Sequence, residues 1–209
     1  MRTLFYVLWT LLLIGILVGI GFLLQKRCND RVYNMVMKYA PDANTILDLG
    51  CGSCCTTKKL QQLGKKVISL DVVDKGVCMK PTLFNGKDIP FGNKQFDLGI
   101  CSFVLHHTQT QKELLFELKR TCKKILILED TPATEREWNF IKKHAESDWG
   151  KCVECFKDVH EWEYLMKLVG LDVVHKKTIS KWDCPFSYQP WFYPVTSTAF
   201  ICHSEKLEL

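Results

Sequence analysis

The residues with the clearest chemical purpose lie in one short run, Ile46-Leu47-Asp48-Leu49-Gly50-Cys51-Gly52-Ser53. An apolar stretch carries one carboxylate and runs directly into a glycine turn. Glycine lets a backbone approach a ligand where a Cβ would collide, and in open α/β sheets ligands bind beyond the carboxyl ends of the strands. A dinucleotide is one candidate ligand, but the third glycine of a G-x-G-x-x-G pattern is replaced by Cys55. Asp48 precedes Gly50 by two residues, where it would repel a pyrophosphate. A carboxylate there suits a ligand that carries ammonium and sulfonium charges and no phosphate.

Three further acidic or aromatic-flanked positions follow in order. Asp71 ends the apolar run Lys66 to Leu70, and Asp88 and Ile89 lie in Gly86-Lys87-Asp88-Ile89-Pro90-Phe91. Phe96-Asp97-Leu98-Gly99-Ile100-Cys101-Ser102-Phe103-Val104-Leu105-His106-His107 is a strand followed by two histidines. Together these resemble the motifs of class I S-adenosylmethionine (SAM) dependent methyltransferases, in particular the broad small-molecule, type 11-like subgroup. The first motif of that family, h-h-D-x-G-x-G-x-G, is matched except at its last glycine, which is Cys54 here. The resemblance spans about residues 29–203. It implies SAM as cofactor, held by Asp48, Gly50, Gly52, Asp71, Asp88, Ile89 and Cys101. Asp71 would accept from the ribose hydroxyls, Asp88 would meet the adenine amino group, and Ile89 would pack on the ring.

Methyl transfer needs a general base only if the nucleophile arrives protonated. The candidates are His106 and His107 after the fourth strand, with Glu129 and its neighbour Asp130 at the end of the fifth. A histidine beginning a helix is as readily a structural hydrogen-bonding residue, and Glu129-Asp130 as readily a polar cap. The Asn/Asp-Pro-Pro-Tyr signature of adenine and glutamine amino methyltransferases is missing after the fourth strand, where Cys101-Ser102-Phe103-Val104 stands instead. Basic residues occur as scattered pairs such as Lys65-Lys66 and Lys123-Lys124 within a net charge of +5. A nucleic-acid groove binder concentrates its charge, so nucleic acid is not the expected partner.

The elements that must position these residues follow from periodicity and turn signals. Helices are expected over Asn29–Ala40, Thr56–Leu63, Gln109–Cys122, Thr134–His144 and His160–Val169. Strands are expected at Thr45–Leu49, Lys66–Leu70, Thr82–Phe84, Phe96–Cys101, Ile125–Leu128, Leu171–Ile179 and Thr196–Cys202. Strand alternating with helix predicts a Rossmann-like α/β domain: a seven-stranded, mostly parallel sheet with helices on both faces and an antiparallel last strand. Only about ten residues join the second and third strands, so any crossover helix there is short.

Two regions stand apart. Thr3 to Leu24 contains no charge, and its 22 residues would span roughly 33 Å as a helix. It reads as an uncleaved transmembrane signal-anchor over 1–27, followed by the domain over 28–209. Lys26, Arg27 and Arg31 follow the run, against Arg2 before it, which predicts a single-pass membrane protein with its domain facing the cytoplasm. Trp182-Asp183-Cys184-Pro185-Phe186-Ser187-Tyr188-Gln189-Pro190-Trp191-Phe192-Tyr193-Pro194 could roof an apolar pocket, touch the bilayer interface or pack on itself.

Eleven cysteines are many for 209 residues. Cys51, Cys54, Cys101, Cys122 and Cys202 lie in apolar or motif contexts, where free cysteine packs as a small buried residue. Most are therefore expected to be reduced, in keeping with a cytosolic domain. Cys152-x-x-Cys155 has metal-ligand spacing, but with only His160 and Cys184 near it no metal is expected. These features favour a membrane-anchored methyltransferase acting on a small-molecule or lipid acceptor. The competing readings are a catalytically silent scaffold of the same fold at a membrane and a nicotinamide-dependent reductase.

Overall fold

The alternation of short apolar strands with amphipathic helices folds as expected in the computed structural model of the chain. Residues 30–147, 152–179 and 194–204 are described, with Trp9, Leu12, Leu13, Gly15 and Ile16; for residues 144–147 the description covers the backbone alone. The elements run α1 (Arg31–Tyr39), β1 (Thr45–Leu49), α2 (Cys55–Gln62), β2 (Lys66–Asp71), β3 (Thr82–Leu83), β4 (Phe96–Ser102), α3 (Gln111–Thr121), β5 (Cys122–Asp130), α4 (Glu135–Ser147), α5 (Val159–Leu168), β6 (Asp172–Ile179) and β7 (Ser197–His203). They form one seven-stranded sheet in the order β3-β2-β1-β4-β5-β7-β6. Pairing is parallel from β3 through β5, and β7 lies antiparallel to both β5 and β6.

Side chains alternate across the strands, and each face is covered. Leu47, Leu49, Cys101, Ile125 and Ile127 point to one side, where Leu114, Leu115 and Leu118 of α3 and Trp162 and Met166 of α5 pack on them. Ile46, Leu98, Ile100, Leu126 and Leu128 point to the other, against Val36 of α1 and Leu60 of α2. Gly99 sits under α3: a Cβ there would come within 2.7 Å of the Cys122 sulfur and 3.2 Å of Leu118 Cδ2. A complete capping box begins α5, with Asp158 and Glu161 each accepting from the other's backbone N–H. Trp162 Nε1 donates to the Asp130 carbonyl at 3.2 Å and so ties α5 to the end of β5.

Two expectations need adjustment. β5 is longer than its apolar run, because antiparallel pairing with β7 extends from Lys124 to Asp130. The β2–β3 connection contains no crossover helix at all. The apolar run Thr3 to Leu24 lies outside the described residues apart from the five named above, which are helical and exposed. Among the described residues no helix is long and apolar enough to cross a membrane.

Candidate functional site

The turn after β1 is fastened to the neighbouring strand. Gly50 and Cys51 both donate their N–H to the Leu70 carbonyl, at 2.8 and 3.2 Å. Three residues of the turn adopt left-handed backbone: Gly50 (φ 68°), Gly52 (φ 51°) and Cys54 (φ 54°). Gly50 is required twice over, since any Cβ there would collide with Val104 from the turn after β4. At Gly52 an added Cβ would meet nothing within 4 Å, so its surface is open to a ligand. Cys54 holds the position of the motif's third glycine, and its positive φ shows that the backbone keeps the glycine conformation without the glycine. Its side chain is fully buried.

Carboxylates gather below this turn. Asp48 is buried and accepts a 2.5 Å hydrogen bond from the Thr57 hydroxyl of α2. Burial lifts its carboxyl to about 6; the Thr57 bond opposes the rise and nearby Asp71 adds to it. Such a group is poised for a cationic ligand, which would relieve the cost of ionising it. Asp71 ends β2 and caps the turn: Oδ2 accepts from Gly52 N at 2.9 Å, and Oδ1 from Val72 N at 2.8 Å and Val73 N at 3.3 Å. Each carboxylate oxygen has two lone pairs, so acceptor capacity remains at Oδ2.

Asp88 is exposed and accepts from Asn85 Nδ2 at 2.8 Å, while Ile89 beside it is buried with its N–H on Glu117 Oε2. Cys101 is placed otherwise than a ligand contact requires. It is fully buried in the core under the turn, and burial pushes its thiol far above the ordinary range. The glycine turn, the acidic end of β2 and Asp88 thus fit SAM, with open backbone at Gly52 and carboxylates for its cationic, hydroxyl and amino groups; Ile89, like Cys101, is packed into the core and presents no surface for the ring.

The acid–base candidates cluster at the ends of β4 and β5. Glu129 is fully buried within β5. Its Oε1 accepts from Val104 N at 2.9 Å and Leu105 N at 2.7 Å, and its Oε2 lies 2.5 Å from His106 Nδ1. A carboxylate only accepts, so Nδ1 carries the proton and Nε2 is the basic nitrogen. Burial disfavours the imidazolium, but the Glu129 carboxylate, its hydrogen bond and Asp130 outweigh it, and the His106 pKa is raised. The ring stacks on Phe156 at 4.6 Å, and the ring of His107 lies 4.1 Å away. His107 itself is exposed. Asp130 accepts from Ser197 Oγ at 3.2 Å.

The cysteines divide in a way only partly foreseen. Cys51, Cys54, Cys101, Cys122 and Cys202 are free, and these are the ones whose apolar or motif context marked them as thiols. Cys55, however, pairs with Cys78, and Cys152 with Cys155. The first disulfide joins the start of α2 to the β2–β3 loop, where Val77 N and Cys78 N also donate to the Ser53 carbonyl. The second closes the C-x-x-C turn beside Phe156, so those sulfurs are not metal-binding thiolates. Among the described residues no three histidine, cysteine or acidic groups are placed to hold a metal. The aromatic stretch after β6 lies outside the described residues up to Tyr193.

Three residues of the site carry no motif signal: Thr57 on Asp48, Phe156 on His106, and Gln111, which joins two turns; Val104 lies in the β4 motif, but its packing against Gly50 is not written there. Each acts through a contact across the sheet edge or between elements, and a spacing rule does not find such contacts.

Residues 47–127 match the family described as a methyltransferase domain. No curated protein matches the chain. Among solved structures, the PH0226 protein of Pyrococcus horikoshii is 14% identical over 86% of this chain and 91% of its own, with a TM-score of 0.64. A SAM-dependent methyltransferase from Methanosarcina mazei is 12% identical over 81% and 96%, with a TM-score of 0.62. Geranyl diphosphate methyltransferase, solved in complex with GPP and sinefungin, is 12% identical over 78% of this chain and 71% of its own, with a TM-score of 0.59. At these identities the structures speak for the fold. The domain match covers the glycine turn, Asp71, Asp88 and the β4 histidines. The domain match and the shared fold together support a SAM-dependent methyltransferase with S-adenosylmethionine as cofactor.

Proposed function

We propose that this enzyme methylates a small apolar acceptor whose nucleophile arrives protonated, with His106 as general base. The observation that carries this reading is the buried Glu129–His106 pair, at 2.5 Å, on the turn that packs against Gly50 through Val104. When bound, SAM supplies a sulfonium methyl as electrophile. The open backbone at Gly52 would admit the cofactor closely, with Gly50 shaping the turn, while Asp48 and Asp71 would serve its charge and hydroxyls and Asp88 its base. His106 Nε2 accepts the proton of the acceptor, and Glu129 stabilises the imidazolium that results. Phe103 and Phe156 flank the ring and favour an apolar acceptor. Geranyl diphosphate methyltransferase offers a precedent for an isoprenoid acceptor on this fold.

The base must be neutral to act, so turnover rises with pH through a midpoint above the ordinary histidine value of 6.5. The test has two stages. Calorimetry should show SAM binding that is lost in Asp71→Ala. Transfer of labelled methyl from SAM into fractionated apolar extracts should then identify an acceptor, with turnover at least 100-fold lower in His106→Gln. Absence of SAM binding in the wild type would leave the catalytically silent scaffold.

The same reading places the enzyme at a membrane through the Thr3–Leu24 run, with its domain on the cytoplasmic side. The run's length and its flanking charges support this. A cytoplasmic domain meets a reducing thiol pool. Alkylation trapping in intact cells tests the side: modification of Cys55 and Cys78 would support a cytoplasmic domain, and protection of both as the disulfide seen in this structure would place the domain on the other side. Carbonate extraction that releases the full-length chain from membranes would remove the anchor.

A further inference from the structure

We propose that Gln111 is a positioning residue for His106, an inference that rests on the reading of His106 as the base. Gln111 opens α3, and its side chain is buried. Nε2 donates to the Leu105 carbonyl at 2.9 Å and to the Cys155 carbonyl at 2.7 Å. Carbonyls only accept, so this amide orientation is unambiguous and both of its hydrogens are used.

The two carbonyls belong to the two turns that hold the imidazole. Leu105 lies next to His106 in the 3₁₀ turn Leu105–His107, and Cys155 lies next to Phe156 at the end of the turn Val153–Cys155. The Phe156 ring covers one face of His106 at an interplanar angle of 23°. Glu129 fixes the ring at one atom, Nδ1, and a single hydrogen bond leaves the ring free to swing about it. The Phe156 face removes that freedom only while the 153–155 turn is held at a fixed distance from the 105–107 turn. Gln111 sets that distance. Its neutral amide does so without adding charge beside the Glu129–His106 pair.

The readout is the His106 imidazole itself, followed by ¹H–¹⁵N NMR in the full chain, so no acceptor is needed. In the wild type the Nδ1 proton should exchange slowly and the ring should titrate above 6.5. Gln111→Met keeps the side-chain length and removes both donors. It should accelerate Nδ1 proton exchange at least tenfold and move the titration toward 6.5, with SAM affinity within twofold of wild type. Gln111→Asn keeps the donors on a shorter arm that reaches one carbonyl, and a smaller acceleration, about threefold, is expected. Wild-type exchange and titration in either folded variant would overturn the proposal, and failure of Gln111→Met to fold leaves Gln111→Asn to decide. If His106→Gln keeps full methyl transfer, the base reading fails, while the effect of Gln111 on the ring is still measured by these spectra.

Discussion

Asp48→Asn should make the empty enzyme more stable and the cofactor bind worse. Asp48 is buried, and its carboxyl is raised from 3.8 to about 6. A carboxylate whose folded pKa is raised subtracts stability once ionised: the penalty begins as pH rises past 3.8 and is complete above about 6. About two units at 1.36 kcal/mol each gives a penalty of about 3 kcal/mol at pH 8 and about half of that at pH 5. Asparagine is neutral, has nearly the same shape and can still accept from Thr57. Urea denaturation of the apo protein should therefore show a gain of about 2–3 kcal/mol at pH 8 that falls by about half at pH 5. Calorimetry at pH 8 should show SAM affinity at least tenfold weaker, because the cation loses its buried counter-charge. In the wild type, affinity should rise between pH 5 and pH 7 as SAM displaces the Asp48 proton. An Asp48→Asn protein less stable than wild type at pH 8 would refute the electrostatic reasoning, and unchanged SAM affinity would refute the cofactor role.

Glu129→Gln removes the carboxylate that raises the His106 pKa; the histidine titration should move down, and stability should fall by about 3–5 kcal/mol, as for a broken buried pair. A histidine with a raised folded pKa contributes stability below 6.5 that is lost as pH rises through the folded value. The loss should therefore be larger at pH 6 than at pH 9, and an equal loss at both would count against the pair. Reduction of Cys55–Cys78, or the double serine variant, should cost about 3 kcal/mol for a loop closed over 23 residues and speed tryptic cleavage after Lys75, read by mass spectrometry. Gly50→Ala combines a positive φ with a collision against Val104; it should lower stability by about 2–4 kcal/mol and abolish SAM binding, and near-wild-type binding would show that the turn can move.

Local pattern alone was enough to specify much of this protein. Period-two and period-3.6 apolar spacing set strand against helix, and the strand Ile46–Leu49 running into Gly50 and Gly52 marked the candidate cofactor turn, because strained backbone and close approach are written in residue type. Asp48 and Asp71 stand near the ends of β1 and β2, where the apolar runs put them, while the cofactor roles of these two, of Asp88 and of Ile89 come from the resemblance of their motifs to the family. Tertiary structure decided the rest. Whether a cysteine is free or paired depends on what lies opposite it, and Cys55 meets Cys78 only because the β2–β3 loop folds back over the turn. His106 and His107 are adjacent and chemically alike in the sequence, yet the 3₁₀ turn brings the His106 ring onto Glu129 at the end of β5 and leaves His107 exposed beside it. Cys101 has the right position along β4 for a cofactor contact, but the pleat turns it into the apolar interior. Thr57, Val104, Gln111 and Phe156 owe their roles to partners brought together across elements. Sequence spacing encodes contacts within one element; which elements face each other, and at what distance, is set by packing.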